Sequence, residues 1–311
     1  MDSIATLTLN PSLDVHLSAP VVAPTMKIRC SPACRDPGGG GINVSRAVRK
    51  LGGLAPAVFP SGGETGELLH SMLVEEGVPV RAVPVVGLTR ENFSVYETST
   101  SEQYRFVVPG PALSEGEWRR LLDLMVRLAE NLDYVVAGGS LPAGVPADFY
   151  AKLARALRST KARLCLDTSG DPLAAAVKEG VFLIKPNFRE LAAAAGREVG
   201  TEEADMERAC REIVEGGGAE IVALTLEEHG ALLVHSGGSL RISGLSLEVK
   251  STVGAGDSFT AGLIFALARK WPLEDAFRFA VAAGSAAVIT EGSELCRRLD
   301  VERLYQQIRT V

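Results

Sequence analysis

Strand-length apolar runs alternate with helical runs along most of this chain, and this alternation constrains the fold more than any other feature. In the middle of the chain, strands are predicted at residues 134–137, 163–166 and 182–185, with helices at 147–157 and 172–178 between them. Strands joined by helices at this spacing run parallel in one sheet, because each helix returns the chain to the same edge. The sequence therefore predicts an α/β fold with a doubly wound, mostly parallel sheet flanked by helices.

Composition narrows the kinds of partner that this chain can have. It has 311 residues, a net charge of −6 at pH 7 and five cysteines without a disulfide framework. The negative charge disfavours a nucleic-acid or anionic-membrane surface, and an odd number of scattered cysteines favours a reducing compartment. No signal sequence and no uncharged apolar run of membrane-spanning length is recognised. We therefore expect a cytoplasmic protein with no nucleic-acid or membrane partner.

Two segments interrupt the alternation of strands and helices. Residues 15–37 are rich in proline and valine, and residues 88–108 contain two alternating runs joined by a polar turn. Runs of that length bounded by turn residues predict a hairpin, so we expect a small β-sheet beside the main one. Arg90 and Arg105 lie on it, where solvated edge-strand arginines are the simpler interpretation.

Two glycines and an aspartate directly precede a predicted helix late in the chain. Gly254, Gly256 and Asp257 lie between a strand predicted at 245–249 and an apolar helical run that begins at Phe259. A glycine turn at a helix N-terminus favours an anion such as a phosphate. Beside a substrate hydroxyl, Asp257 would accept the proton as that hydroxyl attacks a phosphoryl group. An N-cap aspartate explains the same residues equally well, and the helix dipole is expected to lower the pKa of Asp257.

Polar residues after other predicted strands are further candidates. Asp14 follows a strand predicted at 4–9, at the end where ligands gather in open α/β sheets, although an Asx turn is the simpler interpretation. Residues 37–46 place four glycines before a helix, which is a weak signal for close backbone approach to a ligand. Asn187 and Glu190 form a capping-box pair, and their oxygens also suit Mg²⁺, which retains several water ligands.

These motifs, in this order, resemble the ribokinase-like (PfkB) family of carbohydrate kinases, and within it the ribokinase-type 6-phosphofructokinases. The likeness rests mainly on Pro-Gly-Gly-Gly-Gly-Ile-Asn-Val at 37–44 and Ser-Thr-Val-Gly-Ala-Gly-Asp at 251–257. Gly40 stands where related 1-phosphofructokinases and tagatose-6-phosphate kinases usually carry lysine. The resemblance implies a core of residues 1–14, 38–87 and 109–311, and a β lid of residues 15–37 and 88–108 that pairs two subunits into a homodimer.

The resemblance also implies a role for each matching residue. Asp257 is implied as the catalytic base, with the backbone of Gly254, Ala255 and Gly256 as an anion hole. The positions implied to contact the sugar and its existing phosphate are Asp14, Lys27, Arg29, Gly39, Gly40, Asn43, Arg90, Arg105 and Ser140. The positions implied to hold the nucleotide are Lys185, Asn187, Thr225, Glu227, Gly230, Thr252, Gly254 and Gly256, with Glu190 for the metal.

The reaction implied by the resemblance is transfer of the γ-phosphoryl group of ATP, with Mg²⁺, to the 1-hydroxyl of fructose 6-phosphate. Kinases of tagatose 6-phosphate or fructose 1-phosphate on the same fold are the nearest alternatives. A non-catalytic sensor of sugar phosphates or nucleotides is the alternative from another class. Only Glu227 encourages it, since this residue replaces a family glycine in Thr-Leu-Glu-Glu-His-Gly and adds negative charge near the expected nucleotide phosphates.

Overall fold

The structure, a computed structural model, describes residues 3–290, 292 and 294–309. Within those ranges it contains ten α-helices and thirteen strands, which form two sheets. The strands are β1 (Ile4–Leu7), β2 (Ser12–Ala19), β3 (Cys34–Gly38), β4 (Ala57–Ser61), β5 (Val80–Pro84), β6 (Arg90–Glu97), β7 (Glu102–Phe106), β8 (Tyr134–Gly138), β9 (Arg163–Asp167), β10 (Val181–Ile184), β11 (Ala219–Thr225), β12 (Gly230–His235) and β13 (Gly238–Ser243). The helices are α1 (Gly40–Lys50), α2 (Gly63–Glu75), α3 (Glu115–Ala129), α4 (Phe149–Leu157), α5 (Gly170–Glu179), α6 (Phe188–Ala195), α7 (Glu203–Glu215), α8 (Ala255–Ala268), α9 (Leu273–Val288) and α10 (Arg298–Arg309). None of the described helices is long and apolar enough to cross a membrane.

The larger sheet has nine strands in the order β13-β12-β11-β10-β9-β8-β1-β4-β5. The seven strands from β11 to β5 in that order are parallel to their neighbours, and β12 and β13 extend one edge in antiparallel fashion. Buried side chains pack helices on both faces, so the prediction of a doubly wound α/β fold is confirmed. Parallel strands direct their carboxyl ends to one edge, and the loops that follow β1, β8, β9 and β10 gather there.

Three clusters of aromatic and aliphatic side chains attach the described helices to this sheet. On one face α1, α8 and α9 pack together around Phe259 and Phe277, whose ring centroids are 6.2 Å apart. Burying one such ring stabilises the fold by about 1.5–3 kcal/mol. α8 is buried on almost every side, and Gly262 allows close approach to Ala283 of α9. The core therefore fixes α8 rigidly, together with the Asp257 carboxylate at its amino end.

The four strands of the second sheet, called the small sheet below, have the order β3-β2-β6-β7. β2 pairs antiparallel with β3 and parallel with β6, and β6 pairs antiparallel with β7. Because side chains alternate between faces, Asp14 and Asn92 share one face, while Phe93 and Phe106 share the other. The predicted small sheet is confirmed, although residues 20–33 within its first predicted segment contain no strand.

Two predictions about the approach to Asp257 are wrong. No strand forms at residues 245–249, because the chain leaves the sheet after β13 and packs Leu245 and Leu247 against the core instead. α8 begins at Ala255 rather than at Phe259, so Asp257 lies in the first turn of the helix and not in a loop before it. Its carboxylate is therefore oriented by helical geometry.

Candidate active site

Polar residues from the carboxyl edge of the large sheet converge on the amino end of α8. Asp257 lies in the first turn of α8, Asn43 lies in the first turn of α1, and Lys185 directly follows β10. Asp167 ends β9, and Ser140 lies two residues after β8. Helices and strands that are distant in sequence thus place their polar side chains in one cluster, because the carboxyl ends of parallel strands lie at the same edge of the sheet.

The Asp257 carboxylate is held by a hydrogen bond on one side and a close backbone approach on the other. Asn43 Nδ2 donates to Asp257 Oδ2 at 2.9 Å. A Cβ on Gly40 would lie 3.6 Å from Asp257 Oδ1 and 3.1 Å from the amide nitrogen of Gly139. A lysine in place of Gly40 would therefore crowd the end of β8, which gives a physical reason for glycine at this position.

Burial dominates the ionisation of Asp257. It raises the pKa of this carboxyl from 3.8 to about 6, and the neighbouring Asp167 carboxylate acts in the same direction. Asn43, Lys185 and Arg46 oppose the rise in pKa. The expectation that the helix dipole lowers the pKa is wrong, because desolvation outweighs a dipole effect of about 1 kcal/mol. A carboxyl with a pKa near neutrality is suited to accept and release a proton at physiological pH.

The backbone at the start of α8 is shaped to receive an anion. Gly254 is the N-cap residue and has a φ of 75°, a conformation that favours glycine. Ala255 N–H makes a long bond of 3.4 Å to Thr252 O. Gly256 leaves room for Lys185, whose Nζ lies 3.2 Å from the place that a Cβ on Gly256 would occupy. Because the first amides of a helix carry partial positive charge, they form an anion site together with this ammonium group.

An ion pair that sequence reasoning did not find lies beside Asp257. Lys185 Nζ and Asp167 Oδ2 are 3.2 Å apart, and Lys185 is buried. Burial by itself lowers the pKa of Lys185, but the carboxylates of Asp167, Asp257 and Glu190 outweigh it. The net pKa is raised, so the amine stays charged. The signal that points to Asp167 is its place at the end of a buried strand, directly before Thr-Ser-Gly and a helix.

The predicted nucleotide residues lie in two places. Thr252, Gly254 and Gly256 lie at the start of α8, and the others lie on or beside two neighbouring loops, which follow β10 and β11. Asn187 and Glu190 form the predicted capping box, with reciprocal hydrogen bonds of 2.9 Å. The backbone N–H of Thr225 donates to Pro186 O at 3.0 Å and joins the two loops. Burial raises the pKa of the Glu190 carboxyl, and a cation bound nearby would oppose that rise.

Glu227 lies in the second loop, in a backbone conformation that favours glycine. Its φ is 51°, its side chain is exposed, and it begins a single 3₁₀ turn, Glu227–His229. Gly230 closes the turn with a φ of 97°, and a Cβ there would collide with Ile242 O. A left-handed conformation costs a residue with a Cβ roughly 1–2 kcal/mol. Glu227 therefore brings both backbone strain and a negative charge to this loop.

The predicted sugar residues begin on the polar face of the small sheet. Asp14 Oδ1 accepts hydrogen bonds from Ser12 Oγ at 2.8 Å and from Asn92 Nδ2 at 2.9 Å. Gly38 of β3 pairs with Ser12, and it lies so close to Asp14 that any Cβ there would collide with the carboxylate. Gly39 follows with a φ of 116° and leads into α1. These contacts hold the Asp14 carboxylate beside the glycine loop.

Arg90 connects the small sheet to the edge of the large one. Its guanidinium donates to the carbonyl oxygens of Asn10 at 3.0 Å and Val108 at 2.9 Å. Burial lowers the pKa of Arg90, and Asp14 partly opposes this. Asn10 Nδ2 in turn donates to Ser140 Oγ at 3.0 Å, while Asn10 Oδ1 is buried without a partner among the described residues. Arg90 and Ser140 thus belong to one continuous polar surface.

The remaining predicted phosphate ligands are not joined to this cluster. Arg105 is exposed on β7 opposite Ser94, which lies four residues along β6 from Arg90 on the same face. Lys27 and Arg29 are exposed within residues 20–33. The structure therefore brings Arg90 to the site, places Arg105 on the same surface, and leaves the other two cations at the periphery.

Comparisons with known proteins identify the family of this chain. A family model described as pfkB family carbohydrate kinase matches residues 13–298. The chain is 45% identical over 303 residues to ATP-dependent 6-phosphofructokinase isozyme 2 of Mycobacterium tuberculosis, covering 97% of this chain and 89% of that protein. It is 43% identical to the Escherichia coli protein of the same name, with 98% of both chains covered. The 1-phosphofructokinase of Bacillus subtilis is 35% identical, with 98% of this chain and 97% of that protein covered.

A solved structure supports the same relationship at the level of the fold. The crystal structure of Escherichia coli phosphofructokinase-2 in complex with fructose-6-phosphate matches with a TM-score of 0.93 and 41% identity, covering 99% of this chain and all of that one. Likeness of sequence and of structure thus extends over nearly the whole chain. The chain belongs to the PfkB family of carbohydrate kinases, enzymes that transfer a phosphoryl group to a sugar hydroxyl.

Proposed function

We propose that this enzyme transfers the γ-phosphoryl group of ATP to the 1-hydroxyl of fructose 6-phosphate, giving fructose 1,6-bisphosphate and ADP. The observation that carries the proposal is the Asp257 carboxylate, whose pKa is raised to about 6, at a helix end that also forms an anion site. A base beside an anion site suits a hydroxyl that attacks a phosphoryl group. The names of the two relatives above 40% identity support the choice of acceptor.

In the proposed mechanism, Asp257 accepts the proton of the sugar 1-hydroxyl as that oxygen attacks the γ-phosphorus. A new O–P bond forms, the bond from phosphorus to the β–γ bridging oxygen breaks, and ADP leaves with the electron pair. Negative charge on the transferring group is stabilised by the amides of Gly254, Ala255 and Gly256 and by the Lys185 ammonium. These donors are already oriented, so little reorganisation is needed. The proton on Asp257 is then released to solvent.

The acceptor is proposed to lie along the polar face of the small sheet. Arg90 and Arg105 would bind the 6-phosphate, because a guanidinium fork matches phosphate oxygens in a bidentate arrangement. Asp14 and Ser140 would bind sugar hydroxyls. Lys27 would complete the phosphate site only if residues 20–33 fold over the sheet.

Mg²⁺ is proposed to accompany ATP. The described residues contain no group of three or more His, Cys, Asp or Glu side chains that could enclose a metal. They do fit an ion coordinated mainly by phosphates and water, since Glu190 and Asp167 lie close enough for one carboxylate to raise the pKa of the other. These two residues would hold the ion, and the ion would neutralise charge on the phosphates.

Three other functions remain as alternatives. The Bacillus subtilis relative favours fructose 1-phosphate as acceptor, but the absence of lysine at Gly40 and the presence of Arg90 favour a 6-phosphate. Tagatose 6-phosphate differs from fructose 6-phosphate at one hydroxyl and is the nearest competing acceptor. A non-catalytic sensor is favoured by Glu227 alone, and the pKa and orientation of Asp257 argue against it.

We also propose that two copies pair through the apolar face of the small sheet. Phe93 and Phe106 lie opposite each other on that face, and they are 38% and 54% exposed. Neighbouring apolar side chains exposed on one sheet are typical of a surface that another chain covers. Pairing of this face leaves the polar face with Asp14 and Arg90 free for the sugar.

A coupled assay of ADP release with Mg²⁺-ATP tests the proposed function. Fructose 6-phosphate, tagatose 6-phosphate, fructose 1-phosphate and ribose are compared, with Asp257→Asn as the control. We expect the fastest turnover on fructose 6-phosphate, and a kcat about 10²–10⁴-fold lower in the variant. Preference for another sugar would refute fructose 6-phosphate as the acceptor but would leave the proposed role of Asp257 as the base intact. Absence of turnover with intact ligand binding would favour the sensor.

A further inference from the structure

Arg46 is a buried cation that the proposed mechanism does not use. It lies on α1, one turn after Asn43, and only 3% of its side chain is exposed. Nε and Nη2 each donate to Glu76 at 2.8 Å, and Nη1 donates to Pro37 O at 2.9 Å. Nη2 also lies 3.7 Å from Asp36 Oδ1. Because a buried guanidinium without partners is costly, this set of acceptors holds Arg46 in one place.

A further acceptor of Arg46 is the side-chain amide that holds Asp257. Arg46 Nη1 lies 3.4 Å from Asn43 Oδ1, while Nδ2 of the same amide donates to Asp257. A guanidinium offers only donors, and an ionised carboxylate offers only acceptors. The Asn43 amide therefore has one favourable orientation between them. Rotating it by 180° would bring donors against donors and acceptors against acceptors.

The same guanidinium also reaches the small sheet. Asp36 and Pro37 lie on β3, and Asp36 pairs with Asp14 of β2. Glu76, the other main partner, is the C-cap residue of α2. One buried cation thus joins a strand of the small sheet, the ends of two helices and, through Asn43, the Asp257 carboxylate.

We propose that Arg46 is a positioning residue for phosphoryl transfer: through Asn43 it orients the Asp257 carboxylate, and it ties that orientation to β3 of the small sheet. This inference rests on the proposed function, in which Asp257 is the base. The competing explanation is that Arg46 only stabilises the fold through its ion pair with Glu76. The two explanations differ in what they predict for kcat and for its pH dependence.

Three variants separate these explanations. Arg46→Met removes both the charge and the donors, and we expect a kcat about 10- to 100-fold lower, because small misplacements of a catalytic group are costly. The acidic limb of its kcat–pH profile moves to higher pH, since Arg46 opposes the rise in the pKa of Asp257. Arg46→Lys keeps the positive charge, so the acidic limb of its kcat–pH profile should stay at the wild-type pH. Its kcat should still be lower than that of the wild type, because an ammonium lacks the planar fork of a guanidinium. Glu76→Gln is the matched control: it removes the ion pair, while Pro37 O and the Asn43 amide still accept from Arg46, so it should lose thermal stability and keep most of its kcat.

A double-mutant cycle tests whether Arg46 acts through Asn43. Asn43→Ala removes the amide, and Arg46→Met in that background should lower kcat little further. Multiplicative losses in the double variant would overturn the inference. So would a Glu76→Gln variant whose loss of kcat equals that of Arg46→Met, because the effect would then follow the ion pair.

Failure of the positioning role of Arg46 and failure of the proposed kinase activity would give different results. Wild-type turnover on fructose 6-phosphate and its loss in Asp257→Asn test the function alone. Crystal structures of the wild type and of Arg46→Lys test the positioning without any activity. We expect the Asn43 amide to turn or the contact from Asn43 Nδ2 to Asp257 to lengthen in the variant. An unchanged contact together with an unchanged kcat would refute the role of Arg46.

Discussion

Among single residues, Asp257 links the proposed chemistry to the stability of the fold. Its pKa rises from 3.8 in the unfolded chain to about 6 in the folded protein, mainly through burial. At low pH both states hold the proton. As the pH increases, the unfolded chain releases the proton first, so stability falls until the pH passes the folded pKa. The full loss is on the order of 1–3 kcal/mol.

Asp257→Asn should therefore raise the free energy of unfolding by about 1–3 kcal/mol at pH 8 and change it much less at pH 4. The variant keeps the shape of the side chain and removes the cost of the buried charge. Urea denaturation at the two pH values measures this difference. Asp123→Asn, at an exposed position of α3, is the control and should have little effect at either pH. Equal stabilisation by Asp257→Asn at both pH values would contradict the argument from burial.

Arg90 and Arg105 differ in how firmly the fold holds them. Arg90 is anchored by three backbone carbonyls, whereas Arg105 is exposed on β7. Arg90→Gln should raise the KM for fructose 6-phosphate by about 10- to 100-fold with little change in the KM for ATP, because one charge-assisted interaction is lost. It should also lower the melting temperature, while Arg105→Gln should not. Equal increases in both KM values would argue against a phosphate role for Arg90.

Among the structural elements, the turn after β11 combines strain and charge in one residue. Glu227 has a φ of 51°, and the adjacent Glu228 is equally exposed without a left-handed backbone. Glu227→Gly should leave stability unchanged or raise it by up to about 1 kcal/mol, because relief of strain exceeds the entropy cost of glycine. It should also lower the KM for ATP, since a negative charge near the phosphates is removed.

Glu228→Gly is the matched control for this turn. It removes the same charge from the next residue but relieves no strain, so it should destabilise the protein by about 0.5–1 kcal/mol. Glu227→Gln separates the effect of the charge from the effect of backbone strain, since it removes the charge and keeps the strain. Thermal unfolding and the KM for ATP are the measurements. Identical effects of the two glycine variants on stability would show that the backbone conformation of Glu227 is unimportant.

At the scale of the whole molecule, the apolar face of the small sheet carries the proposed pairing of two copies, because Phe93 and Phe106 are exposed there. Phe106→Asp places a charge where we propose that a second copy packs, so it should convert a dimer to a monomer. Sedimentation velocity measures the assembly, and kcat/KM for fructose 6-phosphate should fall with it. Leu299→Asp is the control, since Leu299 is also exposed but lies on α10, which packs against α9. A wild-type monomer, or an unchanged dimer in the Phe106 variant, would refute the proposed pairing.

Local sequence rules accounted for several elements of the molecule. The capping box of Asn187 and Glu190 forms as predicted, because its hydrogen bonds join residues three apart and need no distant partner. The helices predicted at 147–157 and 172–178 form within two residues of those bounds, as α4 (Phe149–Leu157) and α5 (Gly170–Glu179). The run at 245–249 has strand-like composition and forms no strand, because a strand requires a neighbour and the chain has left the sheet by then.

The sequence by itself determined the α/β class, the small sheet and Asp257 as a candidate, since periodicity and motif spacing are local properties of the chain. Asn43 and Arg90 became candidates through the resemblance to the family. Only the tertiary structure decided how those residues act on one another. Burial beside Asp167 reversed the expected direction of the pKa shift of Asp257. Folding alone brings Asp167 into the site and places Arg46 against Glu76 at the end of α2. Desolvation and contacts between distant elements exist only once the chain has folded, so no local pattern can encode them.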